Sequence, residues 1–217
     1  MATAGARIFA KSRKKADGKV GRYHHGALRE ALLESAERIL ERDGLSGLTL
    51  RAAAREAGVS HAAPKNHFDD VAGLMSELAA KGFERFAAMM GQGVRHEDSP
   101  EKRLAALGRG YVAFARAHPG LFLLMFRSER LDMSRPALKT AASNALRLLF
   151  EAVGARRGLK TSRAPTLAQL AEIVALWSLA HGFAMLLIDG RLHPLLKELP
   201  VGVGADALLS AVLETQR

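Results

Sequence analysis

A chain of 217 residues with 48% hydrophobic and 25% charged side chains has the balance of a folded soluble protein, enough for one large domain or two small ones. The lack of cysteine excludes disulfides and thiolate chemistry, and a formal charge of +10 favours an anionic partner such as nucleic acid. No uninterrupted apolar stretch reaches the roughly 18 residues that span a bilayer. The N-terminal IFA is too short for a secretory core. A cytoplasmic protein with no membrane partner is therefore expected.

Residues 1–22 carry Arg7, Lys11, Arg13, Lys14, Lys15, Lys19 and Arg22 against the single acid Asp17, a net of +6. With no apolar periodicity after Phe9, this stretch reads as a disordered basic arm. It either follows phosphates and enters a neighbouring minor groove, or is a solvated leader with non-specific attraction alone. A first helix is expected over Ala27–Arg42, where Leu28, Leu32, Leu33, Ala36 and Leu40 share one face, with Gly44 as its breaker. Thr49 can cap a helix over Leu50–Ala57, Gly58 supplies the turn, and Ser60 can cap a second helix over roughly His61–His67. Two helices joined by so short a turn form the helix-turn-helix unit, which predicts a reader of duplex DNA.

Further helices are expected from Val71 into the Met89 region, and from Ser99-Pro100 through Leu104, Leu107, Tyr111, Val112 and Phe114. After the His118-Pro119-Gly120 break come Leu121–Phe126, Arg135–Gly154, Leu167–Ile188 and Ala205–Leu213. No segment shows sustained period-two alternation or a hairpin turn, so the fold class is all-α.

The block Ala27–Leu74, containing RAAAREAGVSHAAPKNHF, resembles the DNA-binding domain of TetR-type transcriptional repressors. The later WSLAHG, Trp177–Gly182, is similar to the Trp–His–Gly signature of one C-terminal subgroup of that family. The resemblance implies a basic arm over residues 1–22, a helix-turn-helix domain over 23–70 and an all-helical regulatory and dimerisation domain over 71–217, with residues 71–91 as connecting helix. Carried over by position, Thr49 and Arg51 approach phosphate, and Ser60 opens the recognition helix. His61, Ala62 and Ala63 then reach base edges, while Lys65 and His67 meet backbone phosphates. Two positions depart from the family pattern: Lys65 stands where Tyr is usual, and Val71 where Lys is usual. The implied partner is a near-palindromic double-stranded operator, bound by a homodimer.

Leu176, Leu179, Gly182, Phe183, Leu186 and Leu187 form the family-based choice for the dimer interface. A ligand pocket for an apolar or amphipathic effector could lie among Phe86, Met89, Tyr111, Phe114, Phe122, Met125, Phe126, Trp177, His181 and Met185. The same residues could instead form a filled core, since periodicity does not separate a packed core from a cavity. No cofactor is implied. His24, His25, His61 and His67 lack a ligand pattern for metal. Two other classes stay open. A non-specific architectural DNA-binding protein would use the basic arm alone. An enzyme would draw on Ser178, His181, His193, Glu172 or Asp189, which form no convincing constellation.

Overall fold

The computed structural model describes residues 20–158 and 164–215. Residues 1–19, most of the expected arm, lie outside that range. Among the described residues every regular element is helical. They are α1 (Val20–Gly47), α2 (Leu50–Glu56), α3 (Val71–Gln92), α4 (Pro100–Ala117), α5 (Pro119–Met125), α6 (Pro136–Arg156), α7 (Leu167–Ile188), α8 (His193–Lys197) and α9 (Ala205–Glu214), with 3₁₀ turns at Ala63–Asn66 and Ser128–Arg130. The all-α expectation holds.

Local chemistry sets most of these boundaries. Thr49 Oγ1 accepts the Ala52 amide at 3.0 Å, Asp70 Oδ1 accepts that of Gly73 at 2.8 Å, and Ser99 Oγ accepts that of Lys102 ahead of Pro100. Each side chain satisfies one of the amides that a helix leaves open at its first turn. Thr166 and Gln169 close a reciprocal capping box at the start of α7. Gly58, at φ 68°, occupies the left-handed region at the end of α2, where a Cβ would be strained.

Three expectations are corrected. Helix α1 begins at Val20 rather than Ala27, so residues 20–22 of the expected arm are helical. It also runs on to Gly47, although Gly44 (φ 69°) interrupts it where a break was expected. The element expected over His61–His67 is one 3₁₀ turn, Ala63–Asn66, preceded by a non-helical turn at His61-Ala62. Pro64 is the cause: it has no N–H to donate and sits in the first turn, while its carbonyl accepts from both His67 and Phe68. The short helix α8 has no counterpart in the sequence reading.

The head is packed around Leu32, Leu33, Ala36, Leu40, Leu48, Ala53, Phe68 and Leu74, all buried. Phe68 is fully enclosed, with the Arg29 guanidinium 5.8 Å from its ring centre. Truncation to alanine would cost about 3–5 kcal/mol, the range for a buried aromatic. One apolar core continues from this head through α3 into the body. There Phe86 makes edge-on contacts with Tyr111 at 4.8 Å and Phe114 at 5.2 Å between ring centres.

Candidate DNA-reading head and ligand cavity

Helix α2 and the Pro64 turn present one polar surface. Thr49, Arg51, Ser60, His61, Ala62 and Lys65 are exposed, and Ala63 and His67 half-buried. Pro64 and Phe68 point inward and anchor the turn to the core. Ser60 Oγ accepts the Ala62 amide at 3.3 Å and its carbonyl accepts that of Ala63, so Ser60 holds the turn in place of capping an α-helix. Asn66 is also exposed on this turn and was missed in the sequence. Its carboxamide can pair with two atoms of an adenine edge, and its place beside Lys65 was the available signal.

Acidic groups near this surface are engaged elsewhere. Asp70 caps α3, and Asp69 pairs at 2.9 Å with Arg135, which precedes α6. Glu56 on α2 pairs with Arg38 and Arg42 of α1, fastening the two helices of the head.

The head meets the body at two seams besides α3 itself. Around Arg135, Asp69, Asp132 and Glu77 converge, Asp132 at 3.3 Å, and Ser76 Oγ accepts the Asp132 amide. Burial raises the Glu77 carboxyl above its ordinary pKa, against the lowering pull of Arg29 and Arg135. Hydrogen bonds from Ser134 hold Asp132 below its own. At the second seam, Glu41 of α1 accepts the amides of Gly120 at 2.9 Å and Leu121 at 3.0 Å. The α5 N-terminus has no cap from its own flanking side chain, and Pro119 has no N–H, so Glu41 caps it across the seam. A Cβ on Gly120 would lie 2.8 Å from the Leu40 carbonyl oxygen, so this approach requires glycine.

Between α3, α4, α6 and α7 lies a cavity of about 400 Å³. Of the ten expected pocket residues, Phe86, Tyr111, Met125, Phe126 and Trp177 line it. Phe114 and Phe122 are corrected to fully buried core behind the wall. Met89 and Met185 pack against the core outside the lining, and His181 adjoins the cavity through Tyr111, whose hydroxyl is 2.8 Å from its Nδ1. Phe83, Met90, Leu104, Leu107, Ser143 and Leu149 were missed. They lie on three helices, and periodicity within one helix does not show which faces of others meet it. These helices leave a partly open cavity here rather than a filled core.

The interface residues divide similarly. Phe183 is buried within the protomer, and Leu176, half-buried, lines the cavity. Leu179, Gly182 and Leu187 are half-buried and Leu186 is exposed. The outward apolar stripe of α7 instead runs through Leu167, Leu170, Val174 and Trp177, spaced three, four and three residues apart. By length and composition α7 could cross a membrane, and the protomer buries only 22% of its most apolar stretch.

Of the groups considered for catalysis, Glu172, His181 and His193 each have a partner of their own. Glu172 is held by Arg156, whose Nε lies 2.7 Å away, and by Arg157. His181 faces Tyr111, and His193 Nδ1 lies 3.2 Å from the Gly190 carbonyl. No group of three or more metal-ligating side chains occurs among the described residues.

The head, in which α2 and the Pro64 turn take the helix-turn-helix arrangement, is joined by one long helix to an all-helical body, the layout of a DNA-binding regulator. The family model for the tetracyclin repressor-like C-terminal domain matches residues 104–212, which include α7 and the WSLAHG segment. The chain belongs to the TetR-type family of regulators. It is 24% identical over 170 residues to the HTH-type transcriptional regulator YobS of Bacillus subtilis (strain 168), covering 75% of this chain and 80% of that one. A solved structure from Rhodococcus sp. RHA1, of a protein of unknown function, is 35% identical with a TM-score of 0.72, over 90% of this chain and 96% of that one. The TetR-family regulator PfmR from Thermus thermophilus shares the fold at a TM-score of 0.59 and 16% identity, over 85% and 96% of the two chains.

Proposed function

We propose that this protein is a cytoplasmic, homodimeric transcriptional repressor that binds a near-palindromic operator and answers to an apolar or amphipathic small molecule. The observation that carries this reading is the double duty of α3. Its first half, through Gly73, Leu74 and Leu78, is built into the core beside the head, and its second half supplies Phe83, Phe86 and Met90 to the cavity wall. A ligand that favours one setting of α3 therefore favours one placement of the head. A tenfold change in operator affinity needs only about 1.4 kcal/mol of such preference. The DNA-contacting set is Thr49, Arg51, Ser60, His61, Ala62, Ala63, Lys65, Asn66 and His67.

The α7 stripe supports the dimer. Leu167 is 85% and Val174 57% exposed in the protomer, a pattern suited to burial against the same face of a second copy. Gly182 has open space around its missing Cβ, which permits close approach there. The engagement of Glu172, His181 and His193 with separate partners favours a binding protein over an enzyme.

Selection of bound duplexes from a randomised pool at fixed salt tests the reading. Recovery of one near-palindromic site is expected, spaced for two heads one helical turn apart. Uniform recovery, with affinity collapsing for every duplex as salt rises, would establish charge-driven binding and overturn it.

A further inference from the structure

The polar side chains lining the cavity are Tyr111 of α4, Trp177 of α7 and Ser143 of α6, and His181 of α7 stands behind Tyr111. Trp177 Nε1 donates to the Tyr111 hydroxyl oxygen at 3.3 Å, and that oxygen lies 2.8 Å from His181 Nδ1. An indole nitrogen can only donate, so the phenol oxygen must accept from it. The phenol proton then goes to His181 Nδ1, for otherwise it would point unpaired into an apolar cavity. Burial lowers the pKa of His181 and raises that of Tyr111, so at neutral pH the imidazole is an available acceptor and the phenol keeps its proton. The donor of Tyr111 is used up, and one lone pair remains. Asp, Glu, Lys, Arg and His are all missing from the cavity lining, so a charged ligand group would lose its hydration there without a partner. Met133, Leu146 and Trp177 form an exposed rim.

We propose that this cavity takes an uncharged, mainly apolar molecule bearing a hydroxyl or N–H donor, which the Tyr111 oxygen accepts while His181 holds the phenol proton away from it. The inference rests on the cavity being the effector site of the proposed repressor. It gives Trp177 and His181, the first and second residues of the Trp–His–Gly signature, a joint role, since together they orient one hydroxyl from the same helix face.

Three probes of matched length separate the ligand classes: 1-decanol (donor and acceptor), 1-methoxynonane (acceptor alone) and decanoate (charged). Binding is read from the emission of Trp177, the single tryptophan of the full chain. At neutral pH decanol should bind about tenfold more tightly than either competitor. Tyr111→Phe should erase that gap and leave methoxynonane within about twofold of its wild-type affinity. The positioning role of His181 is read from pH. Tyr111 of α4, Phe122 of α5 and Phe126 just past its end face its ring, and Tyr111 is the titratable one among them. Below the lowered pKa of His181 its Nδ1 becomes a donor and frees the phenol proton, so the preference should move toward methoxynonane. Equal binding of decanol and either competitor, a gap that survives Tyr111→Phe, or no change in emission with any probe would overturn the proposal.

Operator affinity measured with the same probes separates this inference from the repressor reading. A decanol preference with unchanged operator binding leaves the ligand class standing and removes effector control. Operator release by decanoate alone does the reverse.

Discussion

Replacing Glu41 with alanine removes a cap that α5 does not make for itself. The carboxylate receives two backbone amides, at 2.9 and 3.0 Å, from the first turn of a seven-residue helix. Hydrogen bonds to a charged group are worth about 1.5–3 kcal/mol each when well shielded, and lost N-caps cost about 0.5–2 kcal/mol. Glu41 is exposed, and water can replace part of what is lost, so the lower scale applies. A loss of about 1–2 kcal/mol is expected, or roughly 2–8 °C in Tm for a chain of this size. Glu41→Gln retains one acceptor oxygen and should lose about half as much. Urea titration followed by far-ultraviolet dichroism gives the free energies, and an unchanged slope would show that the native fold is kept. If Glu41→Ala matched the wild type within about 0.3 kcal/mol, the seam would contribute nothing to stability and the argument would fail.

Three other outcomes follow from the structure. Lys65→Ala should weaken binding to all duplexes alike and reduce the slope of log affinity against log salt by about one, whereas His61→Ala should mainly relax sequence preference; titrations at several salt concentrations separate the two. Val174→Asp, placed in the exposed α7 stripe, should shift the sedimentation mass from dimer to monomer with helix content unchanged. Because burial puts the folded pKa of His181 below its ordinary 6.5, the unfolded chain binds the extra proton first as pH falls. Its neutral-form stabilisation is therefore complete above about 6.5 and is lost as pH drops through the folded value; His181→Gln should flatten that part of the urea-midpoint profile.

Residues whose chemistry acts over three or four positions were legible in the sequence. Thr49 caps the helix it was expected to cap, α4 starts at the expected Ser99-Pro100, and the limits of α7 agree with the expectation. Pro64 was equally visible, yet Ser60 as a cap suggested an α-helix over His61–His67 that a residue without an N–H does not extend. The orientation of α7 was not legible because the helix is apolar around most of its circumference. No polar stripe sets its phase, so Leu176 and Phe183 were assigned outward although the fold turns them inward. Glu41 escaped notice for another reason: its partners are amides 79 and 80 residues away, and backbone groups leave no mark on side-chain patterning.

The Pro64 turn has a kinetic consequence. Proline fixes its own backbone angle, and its buried ring pins the reading surface to the core before any duplex arrives. A surface already in place has little ordering left to undergo on docking, so encounter is governed by diffusion and charge. Operators that differ by a base pair should then be captured at similar rates and distinguished by how long they are held.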